Sequence, residues 1–331
     1  MDDALIPEEV LSLKDVPRSQ TETISQGMIA PMRPGADMAC GVFRPDGSFC
    51  ETSRTMRSFN RFTGIPECPE HGSVLSGRHL FAGIGRHHFG HFLLECVSRL
   101  WPLHHDSGYD GLVIVPKPDI NFEAVFQRRF GAFLDVLTGG LPVHFVTNPL
   151  QVETLVVPTQ GIGHLHWSRG TDEFRHFIRS RIQEQVMPKG SDLLYISRTQ
   201  LKRKEQMVDQ EERIETLMVQ AGYEIFHPQK HSLVEQCARY MAASHIVGAD
   251  GSAFHLVPFA IRPGTTVGII QRRDRSDMFR SLISQIRAFC DVDLIEIDAL
   301  AQASDSETRQ KDYAAIDFEA LQTQLDEAGL I

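Results

Sequence analysis

The chain has no uninterrupted apolar run approaching the ~20 residues that a membrane-crossing helix requires. Its opening, "MDDALIPEEVLSLKD", lacks the positive-then-apolar pattern of a signal peptide. Basic charge is in deficit: 33 Lys and Arg against 43 Asp and Glu leave a net charge of −10, the opposite of the basic face that nucleic acids select. Cysteine is sparse. Cys40, Cys50, Cys68, Cys96, Cys237 and Cys290 form no C-x-x-C pair, so reduced thiols are expected, several of them core fillers. Cys40 and Cys50 flank "GVFRPDGSF", where a bridge is geometrically open. Long repeats and low-complexity tracts are missing as well. These absences predict a cytoplasmic globular protein with no nucleic-acid partner and no transmembrane segment.

What is present suits a large core. At 331 residues, 42% hydrophobic and 23% charged, the chain is long enough for two domains. From Ser191 onward, short β-rich runs alternate with helical segments: "LLYIS", "YEIFHP", "HIVG", "TTVGII" and "DLIEI" are strands. A helix is expected from about Asp209 to Ala221, with Asp209 and Glu212 at capping-box spacing, and another opens at Ser232 with Glu235 three positions later. A further helix runs through about 276–289. Such alternation is the pattern of a parallel, doubly wound sheet. The first half is less regular. It reads as a β-hairpin around Pro45-Asp46-Gly47, a buried helix over "HFLLECVSRLWPL", the strands "GLVIVP", "VHFV" and "TLVVP", and a helix near 122–137. The expected organisation is α/β throughout: residues 1–168, residues 169–299, and a polar loop with a C-terminal helix over 300–331 that packs back on the first domain. Two such halves predict a cleft between them, a favoured place for ligands.

In open α/β sheets ligands gather at the carboxyl ends of the strands. Three predicted strand ends carry suitable chemistry. "LLYISR" delivers Arg198, followed by Lys202, Arg203 and Lys204. "HIVGADGS" delivers Gly248, Asp250, Gly251 and Ser252 at a strand–helix junction, where backbone N–H groups can meet phosphate. "VGIIQRR" delivers Arg272 and Arg273. Positive charge gathered on one edge of an acidic protein suits a nucleotide diphosphate. The plainer alternative is a tight glycine turn beside solvated basic residues.

Histidine offers the other signal. On the helix opening with "GHFLLECVSRL", His91, Leu94, Glu95 and Ser98 share one face, so His91 and Glu95 can touch. A carboxylate that orients an imidazole makes a general base; the same pair can equally be a satisfied polar contact in a core. His87-His88-x-x-His91 has histidines four apart, as a zinc site would, without an H-E-x-x-H motif. "GHLHWSRG" places His166 and Trp167 where they could line the cleft and stack on a sugar, or form an ordered hinge. Asp291–Asp293 superficially matches a metal-binding Asp-x-Asp but reads as loop and cap. "FQRRFGAF" leaves a peripheral contact with an anionic membrane surface open.

The run "YISRTQLKRKEQMVDQEERIETLMVQAGYEIFHPQKHSLVEQCARYMAASHIVGADGSAFHLVPFAIRPGTTVGII" resembles the glycosyltransferase family 61 pattern. That pattern has an Arg after a Tyr-Ile-Ser strand, a second Arg, a Gly-Tyr strand, a Ser-x-x-Glu-Gln helix and a glycine-rich turn before Pro-Gly-Thr. Upstream, "HHFGHFLLECVSRLWPL" resembles its aromatic-x-His-x-Leu-Leu-Glu helix. Together these cover Phe89–Leu103 and Tyr195–Ile270. The chain departs from the pattern at Asp250, at Leu256, at Asp209-Gln210 and at Ile269.

The resemblance implies a GT-B-like fold, two Rossmann-like domains facing a cleft, here with an N-terminal β-hairpin decoration and a C-terminal helix. It implies inverting, metal-independent transfer from a nucleotide sugar, with a UDP-sugar favoured, to a glycan or lipid-linked glycan acceptor in surface polysaccharide biosynthesis. No cofactor is implied beyond the donor. Carried over, Arg198 and Arg203 meet the donor diphosphate and Gly251 and Ser252 its phosphates or ribose; the strand ends add Gly248 and Arg272 on the donor side, and helix spacing gives His91 and Glu95 as the catalytic pair. Asp250 would point at a ribose or sugar hydroxyl, and His88, His166 and Trp167 would line the acceptor side. A nucleotide- or glycan-binding module without turnover, or another α/β group transferase, remains the alternative.

Overall fold

The computed structural model of the protein describes residues 18–35, 37–58, 61–201, 208–273, 276–301 and 315–331. The chain divides into two compact units that part between Arg181 and Ile182.

The first unit opens with β1 (Thr21–Ala30) and β2 (Gly41–Phe43). The turn after β2 is the one expected: Gly47 N donates to Arg44 O, and Asp46 Oδ1 accepts Ser48 N at 2.9 Å. Cys40 and Cys50 are both buried, free thiols. A small ribbon, β3 (Met56–Ser58) and β4 (Arg61–Phe62), precedes the long β5 (Ser73–Gly85). Then come α1 (Phe89–Glu95), β6 (Gly111–Pro116), α2 (Phe122–Phe126), α3 (Ala132–Thr138), β7 (Val143–Phe145), β8 (Leu150–Pro158) and α4 (Asp172–Gln185).

The sheet order is β2-β1-β8-β5-β6-β7. Strands β8, β5, β6 and β7 are parallel neighbours, and β1 joins β8 and β2 antiparallel. The expected hairpin is therefore the edge of the main sheet rather than a decoration on it. β6 is buried at every position, as a central parallel strand must be. Ile24, Ile29, Phe81, Val113, Val115 and Leu155 form the core on one face.

Three expectations change here. The helix over "HFLLECVSRLWPL" is α only to Glu95 and continues as 3-10 turns at Val97–Arg99 and Trp101–His104. The Leu94 carbonyl accepts Ser98 Oγ at 2.6 Å and Gln160 Nε2 at 2.7 Å, which takes it from the α ladder. The division of units falls inside α4 rather than at 168–169. Phe174, Phe177 and Ile178 are fully buried and Arg181 Nη2 donates to Leu103 O, so the first turns of α4 belong to the first unit. Finally, the aromatics of "FQRRFGAF" do not face outward. Phe126, Phe130 and Phe133 are core residues, and Phe130 stacks on Phe92 at 4.0 Å, leaving Gln127, Arg128, Arg129 and Ala132 exposed.

The second unit alternates as the sequence indicates: β9 (Leu193–Ile196), α5 (Glu211–Gln220), β10 (Glu224–Phe226), α6 (Leu233–Ala242) and β11 (His245–Ala249). After α7 (Val257–Ala260) come β12 (Thr266–Ile270), α8 (Ser276–Phe289), β13 (Asp293–Ile297) and α9 (Phe318–Glu327). All pairings in the order β10-β9-β11-β12-β13 are parallel. Ser232 and Glu235 form the expected capping box on α6. Asp209 does not cap α5: its Oδ2 accepts Ile316 N at 3.1 Å, and left-handed Gln210 stands at the helix start without a side-chain cap bond. The C-terminal helix also differs from expectation. Leu321, Leu325 and Leu330 are buried with Tyr195, Val247 and Ile270, so α9 completes the core of the second unit.

Candidate active site

In the second unit, parallel β9, β11 and β12 end side by side, with β11 in the middle. Their carboxyl ends deliver Arg198, Asp250 and Arg272 to one edge, as their sequence positions require. Asp250 is not turned toward a sugar hydroxyl. It is 4% exposed; its Oδ1 accepts Arg272 N at 3.0 Å and its Oδ2 meets Arg273 Nε at 3.3 Å. Arg272 Nε in turn donates to the Asp250 carbonyl at 2.8 Å. The aspartate thus fixes two guanidinium groups, and the burial of Asp250 and Arg272 is tolerable because the charges are paired.

The glycines serve approach rather than turn geometry. Gly251 has φ 165°, extended backbone open to any residue. A Cβ there, however, would run into the Arg198 guanidinium. A Cβ on Gly248 would lie 2.7 Å from Ile196 O on the neighbouring strand. Exposed Ser252 begins a four-residue 3-10 turn, Ser252–His255, and α7 after it has only four residues. The helix expected after Ser252 is thus two short pieces, and Pro258 in the first turn of α7 has no N–H to continue a ladder backward. Arg203 lies outside the described residues.

Sequence reasoning missed Glu211. Its carboxylate is 1% exposed; Oε1 accepts Arg198 N at 2.8 Å and Tyr195 OH at 3.3 Å, while Oε2 has no hydrogen-bond partner among the described residues. Burial pushes its pKa up to about 7, against the pull of the Arg198 N–H and guanidinium. Burial likewise draws Arg198 below the ordinary arginine value. The edge thus gathers three guanidinium groups around one aspartate and one glutamate whose carboxyl pKa is raised by burial. Nothing in "DQEERIE" distinguishes the one fully buried glutamate from exposed Glu212 and half-buried Glu215.

A carboxyl that holds its proton more tightly folded than unfolded costs stability as pH rises from its ordinary value of 4.5 through about 7. Glu211→Gln keeps an acceptor at Oε1 and removes the titration. The variant is expected to match the parent near pH ~5 and to exceed it by on the order of 3 kcal/mol near pH ~8. Thermal unfolding across that range checks this; a difference that stays constant with pH rules it out.

In the first unit, His91 Nδ1 and Glu95 Oε1 lie 2.7 Å apart, one helical turn from each other on α1. Glu95 is fully buried and its Oε1 also accepts Arg86 Nη1 at 3.2 Å, an arginine from the end of β5 that sequence spacing did not reveal. Its Oε2 has no hydrogen-bond partner among the described residues. Because Nδ1 is committed to the carboxylate, Nε2 is the nitrogen of His91 open to a substrate proton. The His88 ring stands edge-on to His91 at 5.1 Å, and the His164 ring lies 6.5 Å away. His87 turns elsewhere: Nδ1 meets Asp119 at 3.2 Å and Nε2 meets Phe122 O at 3.2 Å. Both its nitrogens being used, the three histidines do not converge. Among the described residues no group of three or more His, Cys, Asp or Glu is arranged to hold a metal ion.

The 3-10 turn Leu165–Arg169 carries the remaining expected residues. Trp167 N donates to His164 O, and the Trp167 ring meets Phe62 edge to face at 6.4 Å. The His166 side chain lies outside the described residues. No helix among the described residues is long and apolar enough to cross a membrane.

Residues 89–268 match the family model for Glycosyltransferase 61, which is more than half of the chain and spans both α1 and the β9–β12 edge. The chain belongs to that family. No curated protein matches it.

Proposed function

For a member of the glycosyltransferase 61 family, we propose inverting, metal-independent transfer of a sugar from a nucleotide donor, a UDP-sugar by preference, to a hydroxyl of a glycan or lipid-linked glycan acceptor. The observation that carries this reading is the His91–Glu95 pair: a buried carboxylate orients an imidazole and leaves its Nε2 open. The acceptor hydroxyl gives its proton to Nε2 as its oxygen attacks the anomeric carbon from the face opposite the departing group. The bond from that carbon to the diphosphate oxygen breaks, and the nucleoside diphosphate leaves with the electron pair. Glu95 stabilises the imidazolium so formed, as the carboxylate of a hydrolytic triad does. Arg198 and Arg272, with Arg203, balance the charge growing on the diphosphate, while Gly251 and Ser252 border it. The GT-B arrangement, with donor on the second unit and acceptor on the first, and an acceptor in surface polysaccharide biosynthesis, are carried over from the resemblance as parts of the same proposal.

The test is nucleoside diphosphate release from a panel of UDP-sugars, with the anomeric configuration of the product read by NMR. His91→Ala is expected to lower transfer by about 10²–10⁴-fold with little change in nucleotide affinity. Arg198→Ala should lower kcat/KM by roughly ten- to a hundredfold. Transfer should persist in a chelator. Normal transfer by a folded His91→Ala protein would remove His91 as the base, and product with retained configuration would remove inversion.

The near-complete burial of Arg198 and Arg272 favours a second reading, a module that holds a nucleotide without turning it over. Tight nucleotide binding with no diphosphate release across the panel would select it.

A further inference from the structure

The first unit contains a cavity of about 270 Å³ that the reading above does not use. Two of its walls are aromatic. Phe62 and Trp167 meet at 77°, so they form adjoining sides of a corner rather than a stack. The polar lining comes from Glu51, Arg54, Thr159 and Gln160. Glu51 and Arg54 face each other at 3.6 Å, and Arg54 lies over the Phe62 ring at 5.3 Å while its Nε donates to Thr63 O.

This corner is pre-formed. Fully buried Arg99 donates to the carbonyls of Thr52 and Arg54 at 2.8 and 2.6 Å, and Trp101 Nε1 donates to Thr159 O at 2.9 Å. Gln160 Oε1 accepts Met56 N at 2.9 Å while its Nε2 holds the Leu94 carbonyl, next to Glu95. In the same 3-10 turn that supplies Trp167, the Trp167 N–H donates to the carbonyl of His164, whose ring neighbours that of His91. One wall of the cavity and the surroundings of the candidate base are therefore built from a single short stretch.

We propose that this cavity binds one neutral pyranose ring of the acceptor, which rests on the transferase reading of His91. A pyranose offers an apolar C–H face to an aromatic wall and a rim of hydroxyls to groups such as Glu51, Arg54 and Thr159. The volume lies just under the roughly 300 Å³ at which pockets begin to enclose a drug-sized ligand, which suits a single sugar. Because Glu51 and Arg54 already balance each other, a hexuronate would bring an extra negative charge beside Glu51. Glu51, Thr52, Arg54 and Phe62 all precede residue 89, where the family segment begins. Acceptor choice is thus placed largely outside the segment that the family model matches.

The probes are the methyl glycosides of glucose, galactose, mannose and N-acetylglucosamine, with methyl glucuronide as the charged comparison, titrated into the full chain by calorimetry. At least one neutral glycoside should bind. Phe62→Ala, at a ring already 37% exposed, should weaken it roughly five- to tenfold, and Phe62→Tyr should restore it. Glu51→Lys should shift preference toward the glucuronide. The proposal is overturned if no neutral glycoside binds the parent protein, if Phe62→Ala binds as tightly as the parent, or if the glucuronide binds the parent best. Donor turnover by the parent protein separates the two readings. Glycoside binding without any diphosphate release leaves the cavity and removes transfer; diphosphate release without glycoside binding does the reverse.

Discussion

Arg99→Met is expected to cost the first unit its folded state. Arg99 is fully buried, yet no carboxylate pairs with it among the described residues. Its charge is spread over oxygen atoms instead: the carbonyls of Thr52, Ser53, Arg54 and Pro158, and Thr55 Oγ1. Burial draws its pKa down to about 10, so it stays charged at neutral pH. A methionine fills similar space but leaves that ring of acceptors dry, at about 1–3 kcal/mol for each one unsatisfied. Several such terms exceed the ~5 kcal/mol that marks an exceptional single substitution and compete with the whole stability of a domain. Arg99→Lys should recover only part of the loss, because an ammonium cannot reproduce the planar fork. Denaturant unfolding, with soluble yield as a first indication, checks this; an unfolding free energy within ~0.5 kcal/mol of the parent would mean the carbonyls find other donors.

The second large effect is expected at Gly251. A valine there leaves an extended backbone unstrained, so the fold should survive, but its Cβ would occupy the place of the Arg198 guanidinium. The Arg198 backbone stays anchored through its N–H to Glu211, so the displacement falls on the guanidinium. Nucleotide affinity by calorimetry should fall about ten- to a hundredfold, the scale of a lost charge-assisted contact. Unchanged affinity in a folded Gly251→Val protein would separate Arg198 from the donor and leave the glycine as a matter of packing alone.

Local signals carried the second unit well. Strand–helix alternation after Ser191 and the Ser232–Glu235 box are short-range patterns, and both reappear in the structure. The His91–Glu95 contact was legible for the same reason, since four residues on a helix fix a distance. What could not be read depends on distant chain. Asp250 looked like a hydroxyl ligand until β12 brought Arg272 and Arg273 beside it. Asp209 has a helix-cap spacing with Glu212 but is claimed by Ile316 N, more than a hundred residues on. Arg99 reads as an ordinary helix residue in "ECVSRLWPL"; only the return of residues 52–55 and Pro158 makes it the buried hub of its unit. Gly248 and Gly251 suggested a turn, whereas neighbouring strands and Arg198 set their requirement.

The strand order β2-β1-β8-β5-β6-β7 also bears on how the chain is made. β8 is the last of these strands to be synthesised, yet it sits between β1 and β5, joining an antiparallel pair to a parallel trio. Until residues 150–158 leave the ribosome, the sheet is two pieces, each with an open edge facing a gap. β1 must wait for the arrival of a partner more than a hundred residues downstream, on the order of ten seconds at ~5–20 residues per second. A nascent chain paused before residue 150 therefore presents two unpaired edges at once, and its β1 carries Ile24 and Ile29, core residues of the finished unit, uncovered through that interval.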